Sequence, residues 1–295
     1  NDRTWIFITF LMIIWLASYP KSGNTWIRSF LNTLLFSKNN ELNLNNIVID
    51  QFPNRKHFKD FTDNLDNFNE IAGNWIKAQE KLNKDKKIRF FKTHNIFCTV
   101  NKHSFTDTNN TLGVIHIVRD PRNVVTSIKN HYSEKNYEDA IKFIFDEHKF
   151  VGRNLNIKKE KYDESDIFTL IASWQVHYNS WKVFPKNYYL IKYENLIKNP
   201  TEEFFSLCEF LTKITNSNFD KDKIIKSIEQ NNFNNLKKTE KNLGFREAVK
   251  DKNTNNTVPF FNLGASNNWE VLLDTETKNK IEKKFYNEMK ELNYL

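Results

Sequence analysis

Eight consecutive residues, Tyr19-Pro20-Lys21-Ser22-Gly23-Asn24-Thr25-Trp26, join an apolar run to an amphipathic one. A buried strand that ends in such a turn and feeds a helix makes an anion site, because the first N–H groups of the helix and the positive end of its dipole meet at one point. Gly23 lets the backbone come close to a ligand, and Lys21 adds a mobile charge. A Mg-nucleoside triphosphatase or kinase is disfavoured. Its loop runs Gly-x-x-x-x-Gly-Lys-Ser/Thr, whereas no glycine precedes Gly23 by five and Asn24 stands where lysine belongs.

Two more clusters carry chemistry. Arg119 leaves the apolar run 114–118, Asp120 and Pro121 open a helix, and Ser127 falls about two turns into it. Arg119 and Ser127 can offer a charged fork and a hydroxyl to one phosphate. The short run 88–93 ends in Lys92-Thr93-His94. An imidazole with an ordinary pKa of about 6.5 suits a general base, while Lys21 and Lys92 suit the neutralisation of developing charge.

The segment 19–26 resembles the 5′-phosphosulfate loop of the sulfotransferases that use 3′-phosphoadenosine 5′-phosphosulfate. Segment 118–127 is similar to that family's 3′-phosphate segment, and 92–94 to its Lys-Thr-His sequence. The resemblance implies a sulfuryl transfer with His94, Lys21 and Lys92 as catalytic groups. Lys21, Ser22, Gly23, Asn24, Thr25, Trp26, Arg119 and Ser127 would hold the donor. Trp26 and Phe233 resemble the aromatics that sandwich adenine, Tyr193 a tyrosine on the adenine side, and 264–269 the C-terminal Gly-x-x-Gly-Asp-Trp loop, which adds Gly264. The sequence also departs from the pattern. Asn262-Leu263 replaces an Arg-Lys pair, so a 3′-phosphate arginine is missing and Arg246 is a candidate substitute. Asn231 replaces a donor-contacting threonine, and Asn267-Asn268 a Gly-Asp pair. The family's C-terminal dimer motif is not recognisable, which leaves the oligomeric state open.

Positioning these groups requires strands that end at one edge. Strands are expected over 13–17, 88–93, 114–118 and 188–192. Helices are expected over 25–36, 74–82, from 121, around 168–184 and over 201–211, the last with a capping box on Asn199. Alternating strands and helices predict one α/β, P-loop-like domain over 12–295, its mainly parallel sheet flanked by helices on both faces. With 39% hydrophobic residues, 26 Phe and 7 Trp in 295 residues, the chain can bury a large core.

An excess of 44 basic over 36 acidic residues, a formal charge of +8, favours anionic ligands. A binding module for polyanions without chemistry is the competing class, and a nucleic-acid partner is not expected. Two cysteines, Cys98 and Cys208, sit beside apolar neighbours and read as buried inert thiols of a cytoplasmic protein. No His/Asp/Glu cluster has metal-ligand spacing, so no metal cofactor is expected. The apolar stretch 5–17 spans 13 residues, short of the ~20 of a membrane span, so stable insertion is not expected. Residues 1–11 read as extraneous to the domain. A small-molecule or carbohydrate acceptor would meet the loops 39–69 and 136–164, where Phe52, Phe58, Phe61 and Phe68 either line an acceptor pocket or pack on the core.

Overall fold

A computed structural model describes residues 13–152, 167–251, 254 and 256–295. Its central sheet holds five parallel strands in the order Asp50–Gln51, Arg89–Thr93, Ile13–Ser18, Thr111–Val118, Tyr188–Lys192. Ile13–Ser18 lies in the middle, buried throughout. Ile14 and Leu16 enter one core and Ile13, Trp15 and Ala17 the opposite one, which is why the strand reads as unbroken apolar sequence. The Trp15 indole N–H donates to Thr111 Oγ1 at 2.9 Å.

The first core packs the sheet against Asn24–Leu35, Pro200–Thr215 and Lys221–Gln230. The second uses Phe68–Gly73, Trp75–Asn83 and Trp181 of Trp174–Lys182. Pro121–His131, Tyr137–Phe145 and Thr275–Lys284 close a third. The expected α/β architecture, helices on both faces of a parallel sheet, is the one observed.

Strand register decides where the chemistry collects. Ala17 pairs with both Thr93 and His116, Ser18 with Ile117, and Val118 with Lys192. The chain therefore leaves four strands at one edge, through Tyr19, His94, Arg119 and Tyr193. In open parallel sheets that carboxyl edge is where ligands bind.

Several expectations need correction. The helix expected over 168–184 starts at Trp174, because Ser173 caps it by accepting from Val176 N–H at 3.2 Å. Thr169–Leu170 instead pairs antiparallel with Phe150–Val151. Asn199 makes no side-chain cap on Pro200–Thr215. The helix Tyr193–Lys198 runs straight into it, and Asn199 N–H donates to Asn195 O at 2.7 Å. In Asn24–Leu35 every residue through Leu34 is buried, not one face alone. Its polar side is closed by Asn231, which accepts from Ser29 Oγ at 2.5 Å and donates to Thr33 Oγ1 at 3.0 Å. Asn231 is thus a buried clip between helices. Phe52 and Phe58 are fully buried in the second core and Phe61 and Phe68 pack on it, so the packing alternative holds for all four. Residues 1–11, and the expected acceptor loop from 153 onward, lie outside the described residues.

Cys98 and Cys208 are free, and burial pushes their thiols up to about 11 and about 12. Both stay protonated and unreactive near neutrality. Behind the sheet edge, His116 and His177 lie with ring centres 5.7 Å apart, both 1% exposed, and His116 Nδ1 is 2.8 Å from the Tyr188 hydroxyl. Burial lowers both imidazoles, His177 to about 3. The folded chain keeps His177 neutral, whereas the unfolded chain protonates it below about 6.5. Stability contributed by the neutral ring is therefore complete above pH 6.5 and declines as pH falls towards about 3. At pH 5 the loss from His177 is about 2 kcal/mol. Thermal unfolding at pH 5 is expected several degrees below that at pH 7, with a smaller drop in His177→Gln; equal drops in the two proteins would refute this assignment.

Candidate active site

The four strand ends converge on a cavity of about 270 Å³. In the loop after Ile13–Ser18, Lys21 has a φ of +66° and Gly23 one of +102°. A side chain at Gly23 is excluded, since its Cβ would stand 2.5 Å from the Tyr193 ring. With no side chain to cap the helix that follows, the leading N–H groups are left for a ligand. Asn24 fastens the helix to the strand, its Nδ2 donating to Leu16 O at 2.9 Å and Ser18 Oγ at 3.1 Å.

Arg119 closes the loop from below. Its Nη1 donates to Lys21 O at 3.0 Å and to Ser127 Oγ at 3.1 Å, and the guanidinium lies 4.1 Å from the Tyr193 ring centre. The buried Nε has no partner, a donor available to an anion. Asn267 fixes Ser127 from the other side: its Nδ2 donates to Ser127 Oγ at 3.0 Å and its Oδ1 accepts from Thr126 Oγ1 at 2.6 Å. Asn267 therefore works as a buried tie between the C-terminal loop and the Arg119 helix. Trp269 stacks 3.8 Å from the Arg122 guanidinium, which is itself paired with Asp120 at 2.6 Å.

Trp26, Tyr193 and Phe233 line this cavity and an adjoining apolar recess of about 210 Å³. Gly264, at φ +55°, packs so closely that a Cβ there would meet Phe233 at 2.4 Å. An aromatic recess beside an anion site suits a nucleobase.

Lys21, Lys92 and His94 face the same cavity. The Lys21 ammonium stands 3.9 Å from the Phe260 ring centre; burial, then the neighbouring Arg119, pulls it down to about 7. Burial lowers Lys92 too, against the pull of Glu247. His94 Nδ1 donates to Ser18 O at 2.6 Å, so Nε2 holds the lone pair. Burial, followed by the Lys92 charge, keeps this imidazole well below 6.5 and hence neutral. That corrects the expectation of an ordinary histidine pKa.

Thirteen residues were expected to form the site: Lys21, Ser22, Gly23, Asn24, Thr25, Trp26, Lys92, His94, Arg119, Ser127, Tyr193, Phe233 and Gly264. All but Ser22 line the cavity. Ser22 turns inward, 1% exposed, with its hydroxyl unpartnered. Arg246 is exposed and does not line the cavity, but its charge is among those that lower Lys92 there. Lys237, also exposed and outside the cavity lining, donates from its Nζ to Asn262 O at 3.1 Å. Sequence reasoning missed Glu240, whose carboxylate accepts from Phe260 N–H at 2.6 Å and Phe261 N–H at 2.8 Å, and Glu247. Among the described residues no group of three or more His, Cys, Asp or Glu side chains could hold a metal ion.

One edge of the parallel α/β sheet thus carries an uncapped helix start, a buried arginine and an aromatic recess. The sulfotransferase domain matches residues 13–293, and the chain belongs to that family of enzymes. No curated protein matches the sequence. The mouse sulfotransferase SULT7A1, solved with PAP, shares 17% identity and a TM-score of 0.55 over 94% of this chain and 84% of that one. A retinol dehydratase solved with androsterone and the inactive cofactor PAP shares 16% identity and a TM-score of 0.56, over 94% and 80%. These structures share the fold. No helix among the described residues is long and apolar enough to cross a membrane.

Proposed function

We propose that the chain transfers the sulfuryl group of 3′-phosphoadenosine 5′-phosphosulfate to a hydroxyl or amine of a small-molecule acceptor, with His94 as general base. The His94 Nδ1 bond to Ser18 O carries this reading, because it fixes the tautomer that leaves Nε2 free to take a proton. The fit of the donor is supported by the unpartnered Arg119 Nε, the uncapped helix start after Gly23 and the aromatic recess. The donor supplies an electrophilic sulfur and a bisphosphate leaving group. The acceptor's proton passes to His94 Nε2 as its oxygen or nitrogen bonds sulfur. The sulfur–oxygen bond to the 5′-phosphate breaks, and its electron pair stays on the departing oxygen. Lys21 and Lys92 neutralise that charge, Arg119 with Ser127 holds the 3′-phosphate, and Trp26 and Phe233 enclose the base. Small acceptors are supported by the neighbour solved with androsterone.

Two measurements test the donor site. PAP is expected to raise the unfolding temperature while ATP with Mg²⁺ does not, since only a ligand of the native state stabilises it. The second uses pH. Lys21, near 7 in the empty cavity, is charged in the bound state, so binding takes up a proton above that pH. PAP affinity should weaken up to about tenfold per pH unit above about 7.5, with proton uptake visible as buffer-dependent calorimetric heat. Affinity that stays flat from pH 6.5 to 8.5 would remove Lys21 from the phosphate contact.

A further inference from the structure

We infer that Glu247 is a built-in counter-ion for Lys92, displaced from it by the donor's anionic groups, so that this carboxylate positions Lys92 and sets donor affinity; this rests on the donor-site reading above. Glu247 is the one carboxylate among the described residues lining a cavity otherwise charged by Lys21, Lys92 and Arg119. A negative charge there opposes an anionic donor, so its presence calls for a compensating role. Its Oε1 lies 2.6 Å from Arg28 Nη2, while Oε2 lies 3.6 Å from Lys92 Nζ and accepts from Thr25 Oγ1 at 3.5 Å.

The two ion pairs are unequal. Arg28 is 2% exposed, and a guanidinium so buried needs a fixed partner, which Glu247 supplies at short range. The Lys92 contact is long, and a single ammonium on a flexible stem can change partners where a planar fork cannot. Burial disfavours ionisation of Glu247, but Lys92 and Arg28 outweigh it and hold the carboxyl far below the usual range, so it stays charged whenever the site is empty. Lys92 is therefore paired before the donor arrives and aimed along the cavity wall. On binding, the donor's oxygens take Lys92 while Arg28 retains Glu247.

The test is a binding cycle with PAP, followed by calorimetry at pH 6.5, where Lys21 is charged. Glu247→Gln should bind PAP roughly five- to twentyfold more tightly than the parent. Arg28→Met should bind it more weakly, because Glu247 then turns fully to Lys92. Adding Glu247→Gln to Arg28→Met should restore at least the parent affinity. A merely structural ion pair predicts a different pattern: weaker binding in Glu247→Gln as well as in Arg28→Met, and no recovery in the double. That pattern overturns the inference while parent binding leaves the donor site standing. If Glu247→Gln does not fold, the comparison of Arg28→Met with the double variant decides alone. A parent protein that fails to bind PAP overturns the donor reading and this inference together.

Discussion

Turnover of His94→Ala falls by roughly 10²- to 10⁴-fold, with little change in PAP affinity, the magnitude expected when a general base is lost. The expectation follows from where the proton sits. Ser18 O can only accept, so His94 Nδ1 is protonated and Nε2 is the basic atom. Because burial and the Lys92 charge hold the ring neutral, activity should persist into mildly acidic solution and not decline through pH 6.5 as an exposed histidine would dictate. Steady-state rates with labelled donor across a panel of alcohols, phenols and amines check this. Full turnover in a folded His94→Ala would strip the residue of the base role.

Arg119→Met should lose PAP affinity by roughly 10²- to 10³-fold, the usual scale for truncating one side of a buried, hydrogen-bonded charge pair. Three tasks fall on this side chain. It ties down the Lys21 carbonyl at 3.0 Å, orients Ser127 at 3.1 Å and stacks on Tyr193, the ring that fits against Gly23. Losing it relaxes the phosphate loop as well as removing a charge. Arg119→Lys should recover only part of the affinity, because an ammonium cannot reach the loop carbonyl, the serine and a phosphate in one plane. Calorimetry separates the two variants; equal affinity for parent and Arg119→Met would place the 3′-phosphate elsewhere.

The strands that build the site were legible because the sheet is covered on both faces, so Ile13–Ser18 and the 114–118 part of Thr111–Val118 appear as largely apolar runs that lead into turns carrying Lys21 and Arg119. The helix Pro121–His131 was legible through Asp120, whose side chain accepts from Arg122 N–H as a cap should. What escaped depends on long-range partners. Nothing local distinguishes Asn231 as a clip for Ser29 and Thr33, or Asn267 as a tie to Thr126 and Ser127. Glu247 sits in a charged, unpatterned stretch and acquires meaning only when Arg28, 219 residues away, folds against it. Ser22 differs from its neighbours, which line the cavity: its side chain is buried with the hydroxyl unpartnered beside the positive-φ Lys21.

The register of the sheet also has a consequence for how the chain reaches its working state. Arg119 meets Lys21 across 98 residues and His94 meets Ser18 across 76, so no half-folded fragment contains a donor site. Contacts of such separation carry a large loop-closure cost that only the complete fold offsets. PAP then recognises completion of the central sheet, and its binding should slow backbone hydrogen exchange in Ile13–Ser18 and Thr111–Val118 as much as in the phosphate loop itself.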